Sequence, residues 1–321
     1  MDYTETRAYL KSLERLGSVP GLDSIAQLLG RFGNPQKNTR FVHISGTNGK
    51  GSVGAFVTSV LSEAGFRVGR YLSPAVASPL EIIQMNQKNI SEEDFSEIIS
   101  RIRAVCASML NDGFAHPTRF ELETAAALVF FAEKKCDLAV VECGMGGLLD
   151  ATNIIENTLC AVITPISAEH TAFLGNTVWE IARHKAGIIK RGAAVVYAAG
   201  DEAVNRIIES KVAEYGCHAS AVSDAEISWR IDGEDSLVLD YKKYRGARIG
   251  LRGIYQAANA ALALECIDAL RARGCGIPED AVYAGLAKAR WFGRFERIGR
   301  KPDFIIDGAH NPAGAKALAE S

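Results

Sequence analysis

Apolar residues recur at helical spacing twice near the start of the chain. They fall at Tyr9, Leu10, Leu13 and Leu16, then at Ile25, Leu28, Leu29 and Phe32, which predicts two short leading helices. The period then changes. Phe41-Val42-His43-Ile44 reads as a buried strand, residues 45–51 as a glycine-bearing turn, and residues 52–64 as a helix. The alternation continues with a strand near 68–72, helices over 92–109 and 120–134, and strands at 138–142, 160–164 and 194–197. Helices are predicted over 178–189 and 201–215. Strands separated by helical patterns require parallel crossovers, so the expected fold is α/β, doubly wound around a mostly parallel sheet. Ligands then belong at the C-terminal ends of the strands.

From 227 to 250 the pattern shortens to alternating segments, Ile227-Ser228-Trp229-Arg230-Ile231 and Leu237-Val238-Leu239, which predict a small antiparallel region at one edge of the sheet. Helices return over 255–271 and 279–289. Phe304-Ile305-Ile306-Asp307 then starts a new strand, followed by Gly308-Ala309-His310-Asn311-Pro312 and a helix. Such a β-α unit cannot bury both its faces alone, so a second α/β domain is expected to be cut short there.

A length of 321 residues suggests about two domains. The 48% hydrophobic and 23% charged fractions fit an ordinary folded protein and argue against disorder or a coiled coil. With 36 Lys+Arg against 38 Asp+Glu the net charge is −2, which recommends neither a nucleic acid nor an anionic membrane as partner. The longest apolar stretches, around 125–132 and 159–163, are far too short to span a bilayer. The acidic opening Met1-Asp2-Tyr3-Thr4-Glu5 is unlike a secretory signal, so a cytoplasmic location is expected. Cysteines at 106, 136, 143, 160, 217, 266 and 275 contain no C-x-x-C pair and read as buried free thiols.

The segment Ser45-Gly46-Thr47-Asn48-Gly49-Lys50-Gly51-Ser52 follows a strand and opens a helix, where backbone N–H groups and the helix N-terminus can surround phosphates. Lys50 suits the terminal phosphates and the Ser52 hydroxyl suits Mg²⁺. The loop departs from G-x-x-x-x-G-K-[ST]: Ile44 replaces the first glycine and Gly51 separates the lysine from Ser52.

Several later segments join this loop: Val141-Glu142-Cys143-Gly144-Met145-Gly146-Gly147, Leu149-Asp150-Ala151-Thr152-Asn153, Glu169-His170 with Leu174-Gly175, and His184-Lys185-Ala186-Gly187-Ile188-Ile189-Lys190. Gln256 with Asn259-Ala260, Gly293-Arg294-Phe295-Glu296 and Asp307-Gly308-Ala309-His310-Asn311-Pro312 complete the set. In this order the chain resembles the folylpolyglutamate and dihydrofolate synthases within the Mur-type ATP-dependent amide ligases. The resemblance implies a Mur ligase-like ATP-binding domain over 1–296 and the start of a truncated Rossmann-like domain over 297–321. It implies a monomer that uses ATP and Mg²⁺ to join L-glutamate to folate, or to dihydropteroate, through an acyl phosphate. Charge management by metal ions is what such phosphoryl transfer demands.

The resemblance also assigns residues. Ser52, Glu142 and His170 become metal ligands, and Lys185 a carbamylated lysine whose added anion faces the metals. Asn259, Arg294, Asp307 and His310 become nucleotide contacts beside Gly46–Ser52, with Lys50, Lys185 and His170 in catalytic roles. Ser73, Pro74, Thr118, Phe120, Asp150 and Ala151 match parts of a folate pocket, where an aromatic ring stacks and a carboxylate reads pterin donors. Taken singly, each has an ordinary reading: Glu142 as a cap for nearby N–H groups, His170 as a solvated loop residue, Lys185 as an exposed helix lysine, Phe120 as core. Two departures, Ser73-Pro74-Ala75-Val76 for Ser-Pro-His-Leu and Gly146-Gly147-Leu148-Leu149-Asp150 for Gly-Gly-Arg-Leu-Asp, touch the pterin contacts. Two other readings share part of the pattern: a Mur-type ligase acting on a peptidoglycan precursor, and a nucleotide-binding module without catalysis.

Overall fold

The computed structural model describes residues 1–233 and 236–321; residues 234 and 235, inside the expected antiparallel region, lie outside the described residues. The leading helices are α1 (Tyr3–Ser12) and α2 (Asp23–Arg31). A capping box sets the start of α1: Asp2 accepts from the Glu5 N–H while the Glu5 carboxylate accepts from the Asp2 N–H. The core runs β1 (Phe41–Ser45), α3 (Lys50–Glu63), β2 (Val68–Tyr71), β3 (Ile83–Met85), β4 (Lys88–Asn89), α4 (Glu92–Asn111), α5 (Arg119–Glu133), β5 (Leu138–Glu142) and β6 (Thr158–Ile163). It continues with α6 (Thr171–Leu174), α7 (Val178–Ala186), β7 (Ala194–Ala198), α8 (Glu202–Tyr215) and β8 (His218–Val222).

These strands form an eight-stranded sheet in the order β4-β3-β2-β5-β1-β6-β7-β8. The neighbouring pairs in the run β2-β5-β1-β6-β7-β8 are parallel, and the β2–β3 and β3–β4 pairs at the edge are antiparallel. Every residue of β1 is buried, because helices cover both faces; that is why the strand reads as a run and not as an alternation. The chain leaves β1 toward β2 and later crosses back to β6 on its other side. The crevice above β1 is therefore the topological switch point.

The segment expected at a sheet edge instead forms its own three-stranded antiparallel sheet from β9 (Ile227–Asp232), β10 (Ser236–Tyr241) and β11 (Tyr244–Ile249). The reason is that β8 already holds the edge, and α9 (Gln256–Ala272) packs against both sheets. Helix α10 (Glu279–Lys288) lies on α3. Beyond it, β12 (Glu296–Arg300) and β13 (Asp303–Ile306) pair antiparallel before α11 (Pro312–Ala319), so the expected strand near 304 is one arm of a hairpin. Among the described residues no helix is long and apolar enough to cross a membrane.

The α3–α10 contact rests on Gly285, where a Cβ would stand 2.4 Å from Val60 Cα. Gly285→Ala is expected to destabilise the fold by about 1–3 kcal/mol through overpacking. Urea unfolding should show a lower midpoint at unchanged m-value, and an unchanged midpoint would mean that the two helices part freely.

Candidate active site

The phosphate loop leaves β1 at the sheet's C-terminal rim. Gly46 has φ 142°, and a Cβ there would lie 1.9 Å from Thr164 Oγ1, so only glycine fits beneath the end of β6. Thr47 ties the loop to the same segment: its N–H donates to Pro165 O at 2.9 Å and its hydroxyl to Ser167 O at 3.0 Å. Lys50 folds back across the turn and donates to the Gly46 and Thr47 carbonyls, both at 3.1 Å. The amides of Asn48 and Asn311 exchange two hydrogen bonds of 3.0 Å. Asn259 lies against Gly49, whose Cβ, if present, would meet Asn259 Oδ1 at 2.3 Å, and donates to Gln256 Oε1 at 2.9 Å. Gln256 in turn donates to Ser52 Oγ at 3.2 Å.

Glu142 ends β5 opposite Ile44. Burial pushes its carboxyl up, against the opposing pull of Lys50, Arg70 and Arg294. Among the described residues no group donates a hydrogen bond to it, which leaves both oxygens open. Lys185 is 1% exposed; its ammonium donates to Gly46 O at 2.6 Å and pairs with Glu169 at 2.5 Å. Burial and the nearby Lys50 charge push it down to about 8. Burial works to raise Glu169, but Lys185, with Lys50 and His170, outweighs it and holds that carboxyl below its ordinary range. His170, exposed and with φ 47°, caps the short α6 beside Glu169.

Ser52, Lys50, Glu142 and Lys185 thus gather around the Gly46 turn, with His170 next to them through Glu169. The Arg294 guanidinium lies over Gly308, where a Cβ would meet Nη1 at 2.5 Å, and its charge reaches Glu142. Asp307 spends its oxygens on structure, accepting from Tyr255 Oη at 2.8 Å, Phe295 N at 2.9 Å and Ala309 N at 2.7 Å. His310 is exposed and donates from Nδ1 to Gly308 O at 2.8 Å.

On the expected pterin side, Thr118 caps α5 in a box with Glu121, accepting from Glu121 N at 3.3 Å and donating to Glu121 Oε2 at 2.8 Å. The Phe120 ring covers Gly144, whose Cβ would meet it at 2.6 Å. Asp150 is buried and accepts from Met145 N at 2.7 Å, Thr152 N at 3.0 Å and Thr152 Oγ1 at 2.5 Å. Burial raises its carboxyl against those donors. Ala151 is buried behind it; Ser73 is half-buried and Pro74 exposed in a loop whose Val76 and Ala77 N–H groups donate to Glu81.

Sequence reasoning named Gln256 among the motif residues without assigning it a role, and missed Arg70 as part of this site. Arg70, 3% exposed, donates to Gly51 O at 2.8 Å and lies 4.3 Å from the Trp291 ring centroid, between the Glu142 and Glu81 charges. Its signal was an arginine inside an otherwise apolar strand. Among the described residues no group of three or more His, Cys, Asp or Glu is placed to hold a metal. An all-protein cage is therefore not the arrangement; one carboxylate and a hydroxyl beside a phosphate loop suit a cation that keeps most of its oxygen ligands from phosphate and water.

Residues 44–267 match the Mur ligase middle domain family. A Bacillus subtilis dihydrofolate synthase/folylpolyglutamate synthase is 36% identical over 326 residues, spanning 99% of this chain and 76% of that protein. An FPGS–AMPPCP–folate complex superposes with TM-score 0.92 at 32% identity over 99% of this chain and 79% of that one. Mycobacterium tuberculosis folylpolyglutamate synthase complexed with ADP and AMPPCP gives TM-score 0.89 at 34% identity, covering 99% and 74%.

Arg70→Met removes the hydrogen bond to Gly51 O and a buried cation that lies in the fields of Glu142 and Glu81, and is expected to cost about 1–3 kcal/mol. Arg70→Lys keeps the charge and should cost less, although it loses the planar stack. Denaturant unfolding ranks the two variants, and equal losses would assign Arg70 a packing role alone.

Proposed function

The chain belongs to the Mur ligase family, in its folylpolyglutamate and dihydrofolate synthase branch, and on that basis we propose that it joins L-glutamate to a folate carboxylate at the expense of ATP, with dihydropteroate as a second acid substrate. The observation that carries this reading is the convergence of Lys50, Ser52, Glu142 and Lys185 on one backbone turn at the switch point of the sheet. A carboxylate does not condense with an amine in water. It first takes the terminal phosphoryl group of ATP, releasing ADP, and the glutamate amine then displaces phosphate from the acyl phosphate.

The loop N–H groups and the start of α3 hold the phosphates. Lys50 exchanges its two carbonyl acceptors for phosphate oxygens, and Arg294 adds fixed donors from the far side. Asn259 and Gln256 brace the loop and aim the Ser52 hydroxyl, while the segment carrying Asp307 and His310 closes beside the nucleotide. Ser52 and Glu142 fit Mg²⁺ because they are hard oxygen donors, Glu142 with both oxygens open, and His170 would serve a second ion. Bound there, Mg²⁺ would screen the charge between phosphate and attacking carboxylate.

Lys185 suits carbamylation for a physical reason. With a pKa of about 8, roughly a quarter of its amine is neutral at pH 7.5, against about one part in a thousand for an ordinary lysine. A carbamate keeps one N–H for the Gly46 carbonyl and turns the Lys185–Glu169 pair into two anions, whose repulsion a divalent cation held nearby would offset. Ser73, Pro74, Thr118, Phe120, Asp150 and Ala151 would hold the pterin end.

Incubation with ATP, tetrahydrofolate and glutamate should yield ADP and a glutamylated product. Lys50→Met should lower that rate by at least about a hundredfold, since it removes a charge aimed at the transferred phosphoryl group. Absence of both products with the natural sequence would overturn the reading. Alkylative trapping in bicarbonate buffer followed by mass spectrometry should find the carbamate on Lys185; a bare amine in active protein would refute it.

The same lysine sets a pH dependence. Its pKa falls from 10.5 unfolded to about 8 folded, so the unfolded chain binds more protons between those values and stability contributed by this group rises with pH across that window. Unfolding in CO₂-free buffer should show the rise, and Lys185→Met should flatten it.

A further inference from the structure

A buried chain of hydrogen bonds runs from the central strand to Asp150. Thr152 Oγ1 lies 2.5 Å from Asp150 Oδ1, 2.9 Å from His43 Nε2 and 3.4 Å from Cys143 Sγ. His43 and Thr152 are both 0% exposed. The threonine hydroxyl has one proton to give. The carboxylate is the nearest and strongest acceptor and takes it, so the Thr152 oxygen is left to accept from His43, which places the imidazole proton on Nε2, between Thr152 Oγ1 and Cys143 Sγ at 3.1 Å. Burial keeps that ring neutral, its pKa down at about 3, and keeps the Cys143 thiol protonated. His43 Nδ1 is then a buried acceptor without a hydrogen-bond partner among the described residues.

This branch is more than a cap. Met145 N and Thr152 N already donate to Asp150 where it starts the Ala151–Ile154 turn. The hydroxyl, itself held by the imidazole, adds a charge-assisted donor to Oδ1, so rotation of the carboxylate is blocked, with Oδ2 held by Met145 N and the Gly144 backbone also bonded to the carboxylate. The Phe120 ring covers Gly144, which lies in the turn that Asp150 braces, so a flat ring stacked on Phe120 would lie beside that turn.

We propose that His43 and Thr152 are positioning residues for the pterin ring: acting through Asp150, they hold its carboxylate turned so that it accepts the ring's paired N–H donors. The proposal rests on the folate-ligase reading above.

The test is calorimetric titration of the full chain, first with a non-hydrolysable ATP analogue and then, at saturation, with dihydropteroate. Thr152→Val should weaken dihydropteroate binding roughly tenfold, the scale of one hydrogen bond to a charged group, while Thr152→Ser stays within about twofold of the natural sequence. His43→Leu should weaken it as well, and His43→Gln, which keeps a donor near the Nε2 position, should recover most of the loss. Affinity for the ATP analogue should be unchanged in all four. Should Thr152→Val fail to fold, the His43 pair carries the same comparison. If the natural sequence binds the ATP analogue but not dihydropteroate, the folate reading falls and this inference with it. If it binds dihydropteroate and Thr152→Val and His43→Leu bind equally well, the inference alone is overturned. Equal losses in Thr152→Val and Thr152→Ser, or a parallel loss of the ATP analogue, would also overturn it by assigning the chain a purely structural role.

Discussion

Two ammonium groups share one carbonyl oxygen. Gly46 O accepts from Lys50 at 3.1 Å and from Lys185 at 2.6 Å, so the two charges stand no more than about 5.7 Å apart and repel by roughly 3 kcal/mol at an effective dielectric of 20. Folding alone does not favour such a pair. Glu169 offsets part of it, and Glu142 faces the same field from the neighbouring strand. A polyphosphate or a carbamate relieves the remainder, which gives the turn a standing preference for anions; the same repulsion adds to burial, the larger cause, in holding the Lys185 pKa down. The geometry needs Gly46 itself, because any side chain there would drive the carbonyl away from Thr164 and out of reach of both lysines.

The same turn anchors the far end of the chain. Asn48 and Asn311 are joined by reciprocal amide bonds, Tyr255 by its hydroxyl to Asp307, and the Gly293 carbonyl accepts from Gly308 N–H. Each contact is modest alone, worth about 1 kcal/mol net. Trp291 differs in kind, since its ring packs on a buried guanidinium and above Gly51, where a Cβ would meet Nε1 at 2.8 Å. Polar contacts that exchange readily with water therefore surround one apolar and cationic contact that does not.

The central α/β alternation was legible because parallel strands buried on both faces appear as apolar runs between amphipathic helices. The phosphate loop was legible because its glycines sit between such a run and a helix. What was hidden has a common cause. Strand β8, His218-Ala219-Ser220-Ala221-Val222, lies at an exposed edge and carries no hydrophobic pattern, so local pattern assigns that edge to the antiparallel segment after it. Arg70 and Gln256 are polar residues inside apolar elements, and their worth depends on partners far away in sequence: Gly51, Trp291 and Ser52. Local pattern has no access to such pairings. Lys185 was equally unreadable from spacing, which presents it as one more polar position on a helix that turns out to bury it.

The two halves of the crevice use their polar atoms differently. On the nucleotide side, Lys50, Glu142 and Lys185 are held by few bonds or by mutual repulsion, so a ligand can replace their present partners at low cost. On the proposed pterin side, Thr118 and Asp150 are engaged in caps, where the same oxygen that would meet a ligand already satisfies a helix or turn end. A ligand there cannot displace those donors without exposing buried N–H groups; it can only read the lone pairs that capping leaves over. Recognition of that kind is rigid, and it makes residues which never touch the ligand, such as those behind a capping carboxylate, determinants of what binds. The phosphate side, by contrast, is set by charge and accepts any anion of the right shape, so discrimination between substrates must reside mainly on the capped side.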